Sequence, residues 1–451
     1  MQIVALGAVD EAADGGPRVT PVGVLKATLA LILVANLVRI PFISTGERAA
    51  PVLFNDICVM AALTAGALSL VRRRSFRLDA VTFAALAFAT VGFFSAVGAV
   101  PRFGLSGFEL VVSLAYLARW LMYMALYLFV INCVKPGQVF PVWRVLDQAM
   151  LAFAMFGVAQ AIFLPDFAQM VYPDSRLYYD WDPQGHRLVS TMLDPNIAAA
   201  MILIALLVQL SRLACGVPVE RWKPFVLTAA LVLTLSRSGV LAFIVGASVI
   251  LSSRGLDKRL LRFGALVFAL TLAALPKLIE FGAQYSRFSI SDVSTVSRFV
   301  SWGRALSTIA DHPWFGIGFN TYGFVQERLG YERLGRASYS ADGGLLFAAV
   351  MTGVVGLVLY VAMSSIVIAR CRSVWRDMTR SAEDRGLALG AAASTAALLT
   401  HSLFVNSLFT PFVMEMQWVL WGLSFLIWTQ RAATATHADA PGSRWRLVSA
   451  G

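Results

Sequence analysis

The sequence predicts an all-α polytopic membrane protein with about twelve transmembrane helices. Of its 451 residues 58% are hydrophobic and only 14% are charged, and the mean hydropathy is +0.71. A soluble domain is about half apolar and about a quarter charged, so this chain has too few charges to cover several aqueous cores. Soluble globular, disordered, collagen-like and disulfide-stabilised classes are therefore excluded.

The apolar stretches define the individual spans, because a bilayer core needs about 20 apolar residues per helix. The predicted spans are 22–43, 52–71, 79–100, 107–132, 143–164, 191–211, 222–236, 238–253, 260–280, 343–369, 387–408 and 411–430. The seventh and eighth spans are short, and only the sequence Ser236-Arg237-Ser238-Gly239 separates them.

Basic residues predict the orientation of these spans. Arginine and lysine gather in alternate loops and near both ends of the chain, while the opposite short loops carry few charges. Because such residues stay on the cytoplasmic side, both termini are expected in the cytoplasm. The expected divisions are tails 1–21 and 431–451, membrane segments 22–280 and 342–430, and outer segments 166–190 and 281–341.

The net charge of +11 has the same explanation, so the sequence indicates a lipid bilayer and no nucleic acid as partner. The four cysteines form neither a CxxC pair nor a Cys/His cluster. Neither a disulfide framework nor a metal site is therefore predicted.

An amphipathic helix is predicted inside the long outer segment. Over residues 296–310, Phe299, Trp302, Leu306 and Ile309 share one helical face. The same stretch carries Arg298 and Arg304. Such a helix is typical of a segment that lies on a membrane surface.

Arg237 interrupts an apolar run and is a candidate functional residue, because an arginine at membrane depth is costly without water or a partner. The flanking serines and Gly239 favour a broken helix pair that presents backbone donors to an anion. A snorkelling arginine at the interface is the alternative. Arg119, inside the fourth span, is interpreted only as a snorkelling arginine.

Several motifs, in order, resemble those of the O-antigen ligase/polymerase superfamily. Residues Arg187–Asn196 resemble the start of its central helix, and Leu233–Gly239 resembles its Ser-Arg-Ser/Gly signature. Residues 298–302 and 311–318 resemble parts of its large periplasmic loop. Together the motifs extend over about residues 187–356.

This resemblance implies a glycan transferase of the bacterial inner membrane with a GT-C-like helical fold. Its members take a sugar chain from undecaprenyl diphosphate at the periplasmic face and pass it to an acceptor hydroxyl. The implied partners are an undecaprenyl-diphosphate-linked oligosaccharide, a chain-length regulator and other glycan-assembly proteins. No metal or cofactor is expected, because arginines can stabilise the diphosphate.

The resemblance also implies site residues. Arg237 and Arg298 match the family's arginine positions and are assigned to the diphosphate, since a guanidinium stays ionised and offers phosphate a planar fork. Outer-loop aromatic residues, including Tyr178, Tyr179 and Trp314, are candidates for stacking against sugar rings. The further residues expected to bind substrate are Arg187, Asn196, Arg304, His312, Tyr322 and Trp302.

Position 342 departs from the ligase pattern. Ligases of the family carry a histidine where the tenth span begins, and Asp342 occupies that position here. A buried carboxylate can accept a hydroxyl proton, so Asp342 is a candidate base or acceptor positioner, with a helix N-cap as the alternative. His312 and His401 are alternative bases. The other interpretation is that His312 shapes a turn and that His401 is a buried hydrogen-bonding group.

The aspartate favours a repeat-unit polymerase over a ligase. In the polymerase reaction the acceptor is another lipid-linked repeat unit, whereas an O-antigen ligase transfers the glycan to lipid A–core. A transporter or flippase of lipid-linked glycan is a more distant alternative, because transporters often have paired broken helices in related halves.

Overall fold

The computed structural model describes residues 20–45, 48–73, 76–171, 187–254, 293–331 and 340–438. These residues form a helical bundle with one small hairpin. The helices are α1 (Pro21–Leu31), α2 (Phe54–Arg73), α3 (Ala80–Phe103), α4 (Gly107–Cys133), α5 (Val139–Phe163), α6 (Phe167–Val171), α7 (Pro195–Ala214), α8 (Trp222–Leu233), α9 (Arg237–Arg254), α10 (Val293–Asp311), α11 (Tyr322–Arg328), α12 (Gly344–Trp375), α13 (Ala382–His401) and α14 (Pro411–Ala438).

Within the described ranges, seven helices are long and apolar enough to cross a membrane: α2, α3, α4, α5, α7, α12 and α14. Helices α1, α8 and α9 are apolar but shorter. The chain is therefore a polytopic, predominantly helical membrane protein. The ninth expected span, 260–280, lies outside the described residues, as do Tyr178 and Tyr179.

The first expected span, 22–43, is wrong in its second half. Helix α1 ends at Leu31, and strands β1 (Arg39–Thr45) and β2 (Arg48–Leu53) then pair in an antiparallel hairpin. Pro41 lacks the amide that a helix interior requires and lies where the strand register shifts, between Ile40 and Ile43. The β-branched residues Ile43 and Thr45 follow it, and such residues favour an extended chain.

Helix α7 lies in the middle of the bundle, with almost all of its residues buried. It packs against α8, α9 and α13. Two glycines allow the approach of α13: a Cβ atom at Gly390 would lie 2.7 Å from the Cα atom of Val208, and one at Gly386 would lie 2.9 Å from that of Arg212. Small residues at such crossings let membrane helices pack closely.

The eleventh expected span, 387–408, begins and ends earlier than predicted. The side chain of Ser381 accepts a hydrogen bond from the amide of Asp384 and caps α13, which therefore starts at Ala382. Helix α13 ends at His401, and the chain turns through 402–410 before α14.

The tenth expected span, 343–369, is interrupted. Gly353 in α12 has φ 68° and ψ −172°, which breaks the helix. The outer chain fills the break: the amide of Val354 donates to the carbonyl of Pro313 (2.7 Å), and the amide of Ile317 donates to that of Val350 (2.9 Å). Backbone groups freed by the break are thus satisfied by protein, as membrane depth requires.

Helix α10 confirms the amphipathic helix predicted over residues 296–310. It packs against α12 and buries Ser301, Ala305 and Thr308. Its larger residues Phe299 and Leu306 stay 58% and 56% exposed. The helix therefore packs through small residues and through the half-buried Trp302 and Ile309, and it leaves Phe299 and Leu306 open.

Candidate functional site

Arg237 and Arg298 line one cavity of about 220 Å³. Arg237 is the first residue of α9 and is exposed, whereas Arg298 lies in α10 and is half-buried. The remaining lining residues are Ser238, Leu241, Phe299, Trp302 and Phe404. The fold thus brings together the two arginines that the sequence assigns to a diphosphate, beside an apolar wall.

The turn before α9 aims Arg237. Leu235 has φ 50°, which reverses the chain between α8 and α9. The hydroxyl of Ser236 accepts a hydrogen bond from the amide of Gly239 (3.2 Å) and donates one to Oδ1 of Asn196 (2.9 Å). Ser236 therefore caps α9, and Arg237 stands where the positive end of the helix dipole favours an anion.

Arg187 and Asn196 hold this turn and are not among the residues that line the cavity. The Nε of Arg187 donates to the carbonyl of Thr234 (2.8 Å), and the amide of Leu188 donates to that of Leu233 (3.0 Å). The sequence motif Arg187–Asn196 thus supports the motif Leu233–Gly239. In this structure both residues act on Arg237 through the backbone and Ser236.

Gln160 is a residue that sequence reasoning missed. It lies buried in α5, and its Oε1 accepts hydrogen bonds from the amides of Val189 (2.9 Å) and Ser190 (3.1 Å). Its Nε2 donates to the carbonyl of Arg187 at 3.3 Å. An amide side chain in an apolar span was the available signal, because polar groups at membrane depth need partners, but Gln148 in the same span carried the same signal.

Asp342 is anchored to α10 beside the cavity. Its amide donates to the hydroxyl of Ser301 (2.9 Å), and its carbonyl accepts from the indole of Trp302 (2.9 Å). Trp302 also contacts Phe404, with ring centroids 5.7 Å apart. The same tryptophan therefore lines the arginine cavity and positions Asp342.

The N-cap alternative for Asp342 is wrong. Gly343 is the N-cap residue of α12, and the structure has no side-chain hydrogen bond at this cap. Gly343 has φ 107°, a conformation that favours glycine. The half-buried Asp342 carboxylate therefore does not cap α12.

Arg304 and Tyr322 form a second group next to Asp342. The Arg304 guanidinium lies 4.8 Å from the ring centroid of Tyr331. Burial raises the pKa of Tyr322 to about 12, Asp342 and Tyr331 add to the rise, and Arg304 opposes it. Tyr322 is fully buried and keeps a neutral phenol, so its ring packs inside the protein rather than facing an open sugar site.

The two candidate histidines lie apart from the cavity lining. His312 packs edge-on against Phe103, with centroids 5.3 Å apart, and its carbonyl accepts from the amide of Gly316 (3.2 Å), which supports the turn role. His401 is fully buried, with Nδ1 3.1 Å from the Ser407 hydroxyl. Asp194 and Arg298 lie within electrostatic range of His401.

No group of three or more His, Cys, Asp or Glu side chains within the described ranges is arranged to hold a metal ion. Metal-independent chemistry stays a prediction.

Residues 225–361 match a family model described as O-antigen ligase. The matched segment contains Arg237, Arg298, Asp342 and the break in α12. The match confirms, over this segment, the resemblance to the O-antigen ligase/polymerase superfamily. No curated protein matches the chain significantly.

Proposed function

We propose that this chain is a repeat-unit polymerase that transfers a glycan from undecaprenyl diphosphate to the hydroxyl of another lipid-linked repeat unit. The cavity shared by Arg237 and Arg298 carries the proposal. We further propose that the protein lies in the bacterial inner membrane with both termini in the cytoplasm. The cavity then faces the periplasm.

The two guanidinium groups act on the leaving group. As the bond between the donor sugar and the diphosphate breaks, its electron pair goes to a diphosphate oxygen. Arg237 and Arg298 hold positive charge at that position before the reaction, and the start of α9 adds the helix dipole. Charge arranged in advance in a partly dry site stabilises such a transition state by several kcal/mol.

Asp342 serves as the base. The acceptor hydroxyl forms the new bond to the sugar carbon, and its proton passes to the Asp342 carboxylate. Helix α10 carries Arg298 and also the two residues that anchor residue 342, Ser301 and Trp302. The base and one diphosphate arginine are therefore positioned by the same helix, which keeps their separation constant.

The apolar wall suits the lipid part of the donor. Leu241, Phe299 and Phe404 line the same cavity as the arginines, and Phe299 is largely exposed at its edge. A polyprenyl diphosphate presents a charged group directly attached to a hydrocarbon chain, so it needs both kinds of surface side by side.

An O-antigen ligase is the second candidate, and the description of the matching family favours it. The aspartate at position 342 favours the polymerase. Arg237→Ala and Arg298→Ala separate the two in cells. A polymerase defect leaves single lipid-linked repeat units, whereas a ligase defect leaves long polymer on undecaprenol.

Gel analysis of the lipid-linked glycan is the measurement. Arg372→Ala is the matched control, because this arginine is exposed near the opposite end of α12. We expect the control to retain wild-type chains. A lipid-linked glycan pattern identical to that of the wild type in both cavity variants would show that the arginines do not hold the diphosphate.

A further inference from the structure

A buried polar cluster joins α2, α4 and α14. The Nδ2 of Asn55 donates to the Tyr123 hydroxyl (3.0 Å) and to Oε2 of Glu415 (2.7 Å). The Tyr123 hydroxyl donates to Oδ1 of Asp56 (3.0 Å). Arg119 forms an ion pair with Oδ2 of Asp56 at 2.9 Å, so it is not the snorkelling residue that the sequence predicted. None of these residues lines the arginine cavity.

The negative and positive charges of the cluster do not balance. Asp56 is compensated by Arg119, whereas Glu415 is fully buried and forms no ion pair with any residue in the described part of the chain. Two carboxylates and one guanidinium leave one negative charge in excess. A charge buried without compensation is strongly unfavourable, so the cluster needs one further positive charge.

Two oxygen atoms indicate where that charge lies. Oε1 of Glu415 and Oδ1 of Asn55 are both buried, and neither has a hydrogen-bond partner among the described residues. Both atoms only accept hydrogen bonds when Glu415 is ionised. The bond between Asn55 and Oε2 of Glu415 keeps the two side chains in contact.

We propose that Glu415 and Asn55 bind one singly charged cation, either a proton or Na⁺. A proton on Oε1 of Glu415 neutralises the cluster and turns that oxygen into a donor for Asn55. Na⁺ neutralises it by contacting both oxygens. A divalent cation would instead leave the cluster with one positive charge in excess, so the charge balance selects a singly charged ion.

The site strengthens the contact of three helices just below the hairpin. Asn55 and Asp56 lie in the first turn of α2, directly after β2, and Asp56 also accepts from the amide of Leu53 (2.9 Å). The titratable groups that face Glu415 are Asp56, which repels its charge, and the neutral side chains of Tyr123 and Cys58. The bound cation therefore stabilises the folded bundle.

Thermal unfolding of the purified full chain in detergent tests the site. Samples contain either NaCl or choline chloride at equal ionic strength, from mildly acidic to mildly alkaline pH. A bound proton makes Tm fall as pH rises, because the folded state then loses the proton. Bound Na⁺ makes Tm rise with NaCl concentration by mass action.

Glu415→Gln removes the negative charge and places an amide donor beside Asn55. We expect this variant to lose several degrees of the pH or Na⁺ dependence of Tm. Glu383→Gln is the matched control, because Glu383 is a carboxylate of α13 that forms an ion pair with Arg212. We expect it to keep the wild-type dependence of Tm on pH and Na⁺. The proposal is overturned if Tm depends on pH and on NaCl concentration equally in the wild type and in Glu415→Gln. It is also overturned if the Tm of the wild type responds to neither pH nor NaCl.

Asn55→Asp provides a second variant if Glu415→Gln does not fold. It adds a negative charge at the same position and is expected to steepen the dependence of Tm on pH or Na⁺. An unchanged dependence overturns the proposal.

Discussion

The indole N–H of Trp302 donates a hydrogen bond to the backbone carbonyl of Asp342 across 2.9 Å. Trp302 lies one turn beyond Arg298 on α10 and lines the arginine cavity. One side chain thus connects the two halves of the candidate site. The position of residue 342 relative to the arginines depends on this bond.

Trp302→Phe tests that connection. Phenylalanine keeps an aromatic wall but cannot donate the hydrogen bond, so we expect glycan extension in vitro to slow about fivefold, as for about 1 kcal/mol of lost positioning. Trp222→Phe, which loses an indole hydrogen bond to Glu220 away from the cavity lining, should leave the rate unchanged. A wild-type rate in Trp302→Phe would show that the bond does not position the base.

Asp342→Asn tests the base itself. Asparagine keeps the size of the side chain and both backbone hydrogen bonds that anchor residue 342, so we expect the variant to fold and to lose far more activity than any loss of folded protein in thermal unfolding explains. The rate should fall about 100-fold or more. Asp311→Asn, at an exposed residue, is the control. Retained activity in Asp342→Asn would assign the proton to another group.

Ser236→Ala tests whether Ser236 positions Arg237 in addition to capping α9. Loss of an N-cap hydroxyl lowers stability by about 1 kcal/mol. Because Arg237 follows directly, activity should fall further than this loss of folded protein explains. Ser381→Ala removes the corresponding cap of α13 and should lower Tm similarly at normal specific activity. Equal activities in the two variants would contradict the aiming role.

Gly353→Ala tests the break in α12. A Cβ atom there would lie 2.1 Å from the carbonyl oxygen of Trp314, and φ is 68°. We expect destabilisation of about 3 kcal/mol or more, measured by thermal unfolding. Gly98→Ala in α3 has nothing within 4 Å and should be neutral or stabilise by up to about 1 kcal/mol. A stable Gly353→Ala protein would mean that α12 can straighten.

His312 contributes to the pH dependence of stability. Burial and the nearby Arg102 lower the pKa of His312 below 6.5, with Asp311 opposing them. The folded state therefore disfavours the proton, so stability falls as pH drops below about 6.5, the pKa of an unfolded histidine. His312→Gln should reduce that loss, measured as Tm against pH. An unchanged profile would show that His312 does not titrate differently on folding.

Most helices could be predicted from the sequence, because a bilayer imposes a minimum length on apolar segments. Arg237 could be identified because a charge in an apolar run is costly. Pro41 also argued against a helix, but the long apolar run around it favoured a membrane span. The break at Gly353 could not be predicted, since the partners that satisfy it lie in residues 313–318.

Contacts between distant segments explain what else was missed in the site. Gln160 acts on Arg187, and Glu415 meets Asn55, only after the bundle has assembled. The spacing of these residues in the sequence does not predict either contact. The resemblance drew attention to Arg187 and Asn196 as substrate-binding residues, which stays a prediction, and their place behind the cavity depends on the turn at Leu235.

The docking of residues 313–318 into the gap of α12 has a practical consequence for chimaeric enzymes. Donor and recipient chains cannot exchange this outer segment as a detachable cassette, since its amides and carbonyls complete the ladder of the interrupted helix. A functional graft should carry residues 311–318 together with both flanks of Gly353. Transplanting either portion by itself would leave unmatched backbone groups inside the protein.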